Sequence, residues 1–478
     1  MSLRNQVISS LKWVTFTKII AQLFKWASTF IVIRLLLPSD YGVVAITEII
    51  FSFLLMLSID GFGAPLIQKK QLNEQLIRDV FGSLIVLNIV IFIVIQYSAP
   101  YIASYYEMPQ VEELIRLLSL GLILITFIII PSSLLSKKMK FKQKSLIELV
   151  SSVIAASVTV VLAYLEFGAY SLIYGHLALL LSKAILLNII EPCAYKPSLS
   201  FARSKKIYQF GSMVTLSGIL WFFYTNIDVM IAGKAWSPEL LGIYVVAVQL
   251  TVMPIDKIMP MVQSVAFPAY SSISSDDKER IKNYSLKSVR LMMFLILPVY
   301  MGIASIASVL IPVVLGDKWN DAILPVMLLC TVMPFRVLFE MYDPLFTSLG
   351  KMRFVIENIL IMIAIMVPAF FIGVQYSVLG LCIAWMVVYP IVVGLIMVRI
   401  LNKLEIEKFV FLREILPTLL ISISMFLSVY LFSELAVGTI EKIFVLIVSI
   451  ILGAAVYVGL SLLFNKKTVF ELRAMLGR

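Results

Sequence analysis

The chain has 478 residues, of which 61% are hydrophobic and 14% charged, and its formal net charge is +11. So little charge cannot cover a soluble domain of this length, and the apolar residues fall in blocks of about 20, enough to span a bilayer as a helix. The composition excludes a soluble enzyme or nucleic-acid binder and predicts an all-α polytopic membrane protein whose surplus positive charge lies in cytoplasmic loops.

About 14 spans are predicted on the ~20-residue criterion. They fall at 12–34, 41–58, 80–98, 114–133, 147–165, 169–190 and 208–230, then 240–266, 290–312, 323–347, 354–374, 377–399, 412–432 and 443–464. No small-residue cleavage site follows the first apolar run, so no cleaved signal peptide is expected. Span 1 carries Thr15, Lys18, Gln22, Lys25 and Thr29 at a 3-4-3-4 spacing, one stripe of a helix. A lysine near the middle of a span costs roughly 2.5–3.5 kcal/mol on insertion scales, so it is expected to face a watery cavity or a partner. Lys18 is near enough to the cytoplasmic end to snorkel, whereas Lys25 is nearer mid-span. This cationic stripe points to an anionic cargo.

Span 2 contains Glu48, a carboxylate placed to pair with either lysine or to titrate during transport. His176, the chain's one histidine, lies on span 6 and is read as a packed residue rather than a proton relay. Lys183, in the inner half of the same span, is read as snorkelling. Asp228 ends the polar run Tyr224-Thr225-Asn226-Ile227-Asp228 on span 7, and span 8 holds Asp256-Lys257 between Pro254 and Pro260. Arg336, Glu340 and Asp343 share one face of span 10; the first two also have the spacing of an internal salt bridge.

The loops test the span count. Even-numbered junctions are rich in cations, as in Lys137, Lys138, Lys140, Lys142 and Lys144, or Lys278, Arg280, Lys282, Lys287 and Arg290. Odd-numbered junctions hold Lys234, Lys318 and Lys442, with Arg116 near one of them. This alternation fits an even number of spans with both termini in the cytoplasm. The outside loops are too short for a catalytic domain.

The chain also repeats. Pro38-Ser39-Asp40-Tyr41-Gly42 aligns with Pro238-Glu239-Leu240-Leu241-Gly242, Met139-Lys140-Phe141 with Met352-Arg353-Phe354, and Pro100 with Pro312. An even number of spans per repeat gives parallel repeats, as in several transporters. The expected organisation is two pseudo-symmetric six-helix bundles, 1–200 and 201–402, followed by two helices and a cytoplasmic tail at 403–478. In this register Lys18, Lys25 and Ser28 correspond to Gly218, Thr225 and Asp228, so the second half keeps the polar face without its cations.

A single histidine excludes an HExxH site, and no GxxxxGK[ST] or GxSxG motif is found. Asp276-Asp277 reads as solvated surface, and Cys193, Cys330 and Cys382 suggest no disulfide framework.

Three motifs carry a family resemblance. They are Leu37-Pro38-Ser39-Asp40-Tyr41-Gly42, Gly61-Phe62-Gly63-Ala64-Pro65-Leu66-Ile67-Gln68 and Asn226-Ile227-Asp228-Val229-Met230-Ile231-Ala232-Gly233. The sequence resembles the Wzx-type polysaccharide flippases of the multidrug/oligosaccharidyl-lipid/polysaccharide exporter superfamily, in particular the colanic and teichuronic acid exporters. The resemblance implies a bacterial cytoplasmic-membrane transporter, not an enzyme, that moves undecaprenyl-diphosphate-linked oligosaccharide by alternating access. It implies that Lys18 and Lys25 meet the diphosphate, with Gln22 and Arg336 as further cavity contacts. Proton or sodium coupling is expected, with Glu48, Asp228 and Glu340 as candidate carriers and no other cofactor. Membrane lipids, and polysaccharide polymerase or assembly proteins, are the expected partners of a monomer. A cation-coupled drug antiporter is the competing reading, but such a protein should line its cavity with acids, and span 1 offers none. A polysaccharide polymerase or ligase would need a sizeable outside loop.

Overall fold

A computed structural model of the chain describes residues 22, 24–68, 74–193, 195–199, 201–271, 273 and 277–476. Eleven stretches among them are long and apolar enough to cross a membrane. One of these, Met352–Lys403, contains two helices; with it, the helix ending at residue 35 and the helix Phe201–Ala235 complete the predicted set. An apolar span must satisfy its backbone internally, which is why the regular structure is helical apart from one bridge between Val437 and Ile440.

In chain order the helices are α1 (24–35), α2 (Pro38–Gln68), α3 (Glu74–Tyr106), α4 (Gln110–Leu118), α5 (Leu120–Lys137), α6 (Phe141–Tyr164), α7 (Ala169–Ile190) and α8 (Phe201–Ala235). There follow α9 (Pro238–Val252), α10 (Ile255–Ser271), α11 (Lys278–Val314), α12 (Ile323–Glu340), α13 (Asp343–Ser348) and α14 (Met352–Gly373). The last four are α15 (Ser377–Lys403), α16 (Lys408–Ala436), α17 (Lys442–Phe464) and α18 (Lys466–Leu476). Spans 4, 8 and 10 of the sequence reading are each built from two consecutive helices. Helical ends extend past several predicted spans because hydropathy detects the lipid-facing portion of a helix, whereas backbone hydrogen bonding continues into the interface.

The chain forms two compact units, Met1–Gly242 and Ile243–Arg478, divided inside α9. In the first, α2 packs on α8, α5 and α4, and α6 packs along α7. A buried hydrogen-bond chain ties α2, α3 and α5 together. Ser58 donates to Asn88 Oδ1 at 2.5 Å, and Asn88 Nδ2 donates to Thr126 Oγ1 at 2.9 Å. Short polar side chains can link spans in this way because lipid offers them no partner.

The Pro-Ser-Asp-Tyr-Gly motif has a structural explanation. Asp40 accepts the Leu37 N–H at 2.9 Å through Oδ2 and the Ala169 N–H at 3.0 Å through Oδ1. One carboxylate therefore fixes the α1–α2 turn and sits at the start of α7, where the exposed N–H groups favour negative charge. Gly42 and Gly242 meet reciprocally. A Cβ on Gly42 would stand 1.9 Å from the Pro238 carbonyl oxygen, and one on Gly242 would stand 1.7 Å from that of Pro38. The two repeat motifs thus pack against each other through the glycines that define them.

In the second unit α11 packs on α16, and α15 packs on α12 and α14. Tyr300 donates to the Thr251 carbonyl at 2.9 Å, and Trp385 Nε1 donates to Tyr244 Oη at 2.9 Å. Arg290, buried near the start of α11, reaches Glu414 on α16 at 2.6 Å and Glu471 on α18 at 2.5 Å. The C-terminal helix is thereby anchored to the bundle.

Candidate substrate site

The described part of α1 presents Gln22 half-buried and Lys25 exposed. Thr29 Oγ1 donates to the Lys25 backbone carbonyl at 2.7 Å, so this hydroxyl is engaged within the helix. Trp26 places its indole Nε1 in a buried position without a hydrogen-bond partner among the described residues. Lys18 lies outside the described residues.

Lys25 has a basic neighbour on another helix. Lys183 on α7 lies within electrostatic range of Lys25, of Lys144 on α6, and of Glu148 on α6. Lys144 Nζ donates to Ser136 Oγ at 2.9 Å, which holds it at the α5–α6 turn. Beside that turn, Lys138 pairs with Glu191 at 2.5 Å and Lys140 approaches the same carboxylate at 4.0 Å. Lys183 thus faces two cations, Lys25 and Lys144, and one acid, Glu148, while Glu191 offsets part of the charge of Lys138 and Lys140. A partly desolvated cluster with excess positive charge attracts anions more strongly than separated lysines in bulk water do.

The candidate carboxylates differ in their surroundings. Glu48 on α2 lies 3.8 Å from His176 Nδ1 on α7. Asp228 on α8 is 3% exposed, below a hydrogen-bonded turn in which Asn226 Nδ2 donates to the Phe222 carbonyl and to Thr225 Oγ1, each at 2.9 Å. Arg336 and Glu340 form a buried ion pair at 2.8 Å in the second unit. Their charges are satisfied by each other, the salt-bridge arrangement that their spacing had offered as an alternative. Among the described residues no group of three His, Cys, Asp or Glu side chains could hold a metal ion. Cys193, Cys330 and Cys382 are free thiols, and burial pushes that of Cys193, in the loop after α7, up to about 11.

The family described as "Polysaccharide biosynthesis protein" matches residues 31–324, more than half of the chain. The chain belongs to this family. A "Lipopolysaccharide biosynthesis protein WzxC" of Escherichia coli is 24% identical over 87% of this family member and 83% of that protein. An "Uncharacterized membrane protein in cps region" of Klebsiella pneumoniae is 26% identical over 78% of this chain and 77% of its own. In fold, the polysaccharide biosynthesis protein is similar to a lipid II flippase, MurJ, in an inward closed conformation. The TM-score is 0.78 at 13% identity, covering 95% of this chain and 99% of the other. These likenesses identify an integral membrane protein with a transporter fold.

Sequence reasoning singled out Lys25 but connected it with neither Lys183 nor, through Lys183, Lys144. Lys144 looked like one more positive-inside loop residue, and Lys183 like a snorkelling side chain. Both are 119 or more positions away from Lys25 in the chain, so no local spacing connects them. The Glu48–His176 pairing was equally invisible, because hydropathy patterns do not say which faces of two spans meet.

Proposed function

We propose that this polysaccharide biosynthesis family member is a secondary transporter that flips a lipid-linked oligosaccharide, carried on undecaprenyl diphosphate, across the bacterial cytoplasmic membrane. The observation that carries the reading is the basic cluster of Lys25, Lys144 and Lys183 inside a membrane-spanning unit. The membership in a polysaccharide-biosynthesis family and the flippase-like fold give that cluster its context.

A sugar headgroup cannot cross hydrocarbon because its hydroxyls would lose their hydrogen bonds, so a polar path must replace water. A diphosphate needs donors with positive charge, and the lysines supply them, with Gln22 and the Trp26 indole beside Lys25 and with Lys18 of the first predicted span as a further candidate. The prenyl tail stays in lipid. The cycle is alternating access, with residues 1–200 and 201–402 as the moving repeats and 403–478 as the added helices and tail. Proton or sodium movement drives it, and Glu48, Asp228 and Glu340 are its candidate carboxylates. Arg336 is retained as a cavity cation only if its pairing with Glu340 opens during the cycle. Both termini are cytoplasmic, the working form is a monomer, and membrane-bound polymerase and assembly proteins receive the product.

The test is Lys25→Ala in a strain that depends on this chain for its surface polysaccharide. A hydrogen bond to a charged group contributes about 1.5–3 kcal/mol, so cargo affinity should fall by roughly one to two orders of magnitude. Surface polysaccharide should drop while membrane-inserted protein stays at the wild-type level. Undiminished polysaccharide in Lys25→Ala and in Lys25→Ala/Lys183→Ala would overturn the cationic grip.

A further inference from the structure

Glu48 and His176 lie well inside their spans. At 1.5 Å per residue, Glu48 is about 15 Å along α2 from Pro38, and His176 about 10 Å along α7 from Ala169. The Glu48 side chain is 48% exposed and that of His176 is 27% exposed. An ionised carboxylate against lipid at such depth costs roughly 2.5–3.5 kcal/mol, so this exposure is best met by a water-filled space.

The imidazole is positioned by its surroundings. Gly175, the residue before it, lies against Thr159 of α6, where a Cβ would come within 1.8 Å of Thr159 Oγ1. This close crossing pins one face of α7 to α6, and the adjacent helical position, His176, reaches toward α2. There the buried Phe51, one turn beyond Glu48, meets the imidazole edge-on at 5.5 Å and 88°. One α2 face thus supplies both an apolar wall and a carboxylate to the same ring.

Other charged or titratable groups on the helices packed against α7 are engaged elsewhere or lie toward the helix ends. On α4, Glu112 pairs with Arg116 at 2.9 Å and Glu113 accepts from Tyr170. On α2, Asp40 caps α7, and Tyr41 is in electrostatic range of Glu48. Lys137 of α5 and the Lys142, Lys144 and Glu148 group of α6 lie at the opposite end of α7 from Tyr170. On α7 itself Tyr174 is exposed, and Lys183 faces the basic cluster. Among the described residues, Glu48 is the carboxylate in ion-pair range of His176.

We propose that His176 and Glu48 form a proton-binding site in the first unit, in which a proton taken up by the imidazole creates an ion pair between α7 and α2 and so couples transport to proton movement. The step adds one proton to a ring nitrogen and breaks no bond. The two side chains stand 3.8 Å apart, beyond hydrogen-bond range. With the ring charged, a charge-assisted hydrogen bond of roughly 2.7–2.9 Å becomes available, drawing the groups about 1 Å closer. Histidine suits this role because its ordinary protonation falls between about pH 5 and 8.

The coupling role rests on the transport reading, but the protonation itself needs no cargo. His176 is the sole histidine, so protein labelled with 15N-histidine and purified on a tag without histidine gives the two ring-nitrogen signals of one imidazole. In lipid nanodiscs its titration from pH 5 to 8.5 should show a midpoint at least one pH unit higher in wild type than in Glu48→Gln, a tenfold difference in proton affinity. Glu48→Asp, which keeps the charge, should restore at least half of that difference and guards against a misfolded Gln variant. An equal midpoint in wild type and Glu48→Gln, or a ring that does not titrate, would overturn the site. Failure of this titration leaves the Lys25 experiment untouched, and the reverse also holds.

Discussion

Arg290 offers a direct measure of what holds the C-terminal helix in place. Its side chain is 9% exposed, and its guanidinium donates to Glu414 at 2.6 Å and to Glu471 at 2.5 Å. Arg290→Met keeps much of the side-chain bulk and removes both bonds. Two hydrogen bonds to charged groups contribute about 3–6 kcal/mol together. Part of that loss is relieved, because the two carboxylates are 18% and 26% exposed and Lys467 remains 3.8 Å from Glu414. The expected destabilisation is about 2–4 kcal/mol, and Glu471→Gln should cost about half as much. The assay is equilibrium denaturant unfolding of the purified full chain in mild detergent. The physical reasoning also predicts a partial rescue: Arg290→Met/Glu414→Leu/Glu471→Leu should be more stable than Arg290→Met alone, because no carboxylate is left without its cation. A single variant within about 0.5 kcal/mol of wild type, or a triple variant weaker than the single, would refute this account.

Two other perturbations have defined outcomes. Gly42→Ala and Gly242→Ala each push a Cβ against a backbone carbonyl, so each should cost at least about 1–3 kcal/mol in the same unfolding assay. The double variant should cost less than the sum, since one separation of the two motifs accommodates both methyl groups; strict additivity would show that the reciprocal contact is not shared. At low pH the pairs Lys278–Glu405 and Lys234–Glu107 should weaken. The hydrogen bond and charge of Lys278 hold the Glu405 carboxyl below the ordinary 4.5, and Lys234 does the same for Glu107. A carboxyl lowered in the folded state contributes stability that is full above its ordinary value and is lost as pH falls through its lowered one. Both pairs are exposed, so 0.5 M salt should flatten this acid dependence, and Glu405→Gln should remove its own share. An acid limb of the stability profile that is identical in wild type and Glu405→Gln would count against the pairing.

The likeness between the two repeat motifs was visible as Pro38–Gly42 and Pro238–Gly242, yet their roles diverge in the structure. Asp40 caps α7, whereas its counterpart is Leu240, which has no carboxylate for such a task. Sequence similarity located the turn; only the packing distinguished a structural acid from a spacer. Arg336 and Glu340 were legible as a pair because i,i+4 neighbours on a helix meet whatever surrounds them. Arg290, in contrast, looked like one more cytoplasmic loop cation. Its partners lie 124 and 181 positions away, and it proved buried within the bundle.

Span number, helix type and the alternation of charge between loops were all determined by the sequence alone. Each follows from transfer free energies and local periodicity, which act within about 20 residues. The approach of Lys25 and Lys144 to Lys183, the Glu48–His176 contact and the anchoring of α18 were decided only by tertiary structure. Those features depend on which helix faces meet, and an apolar helix in lipid has no amphipathic stripe strong enough to announce its neighbours.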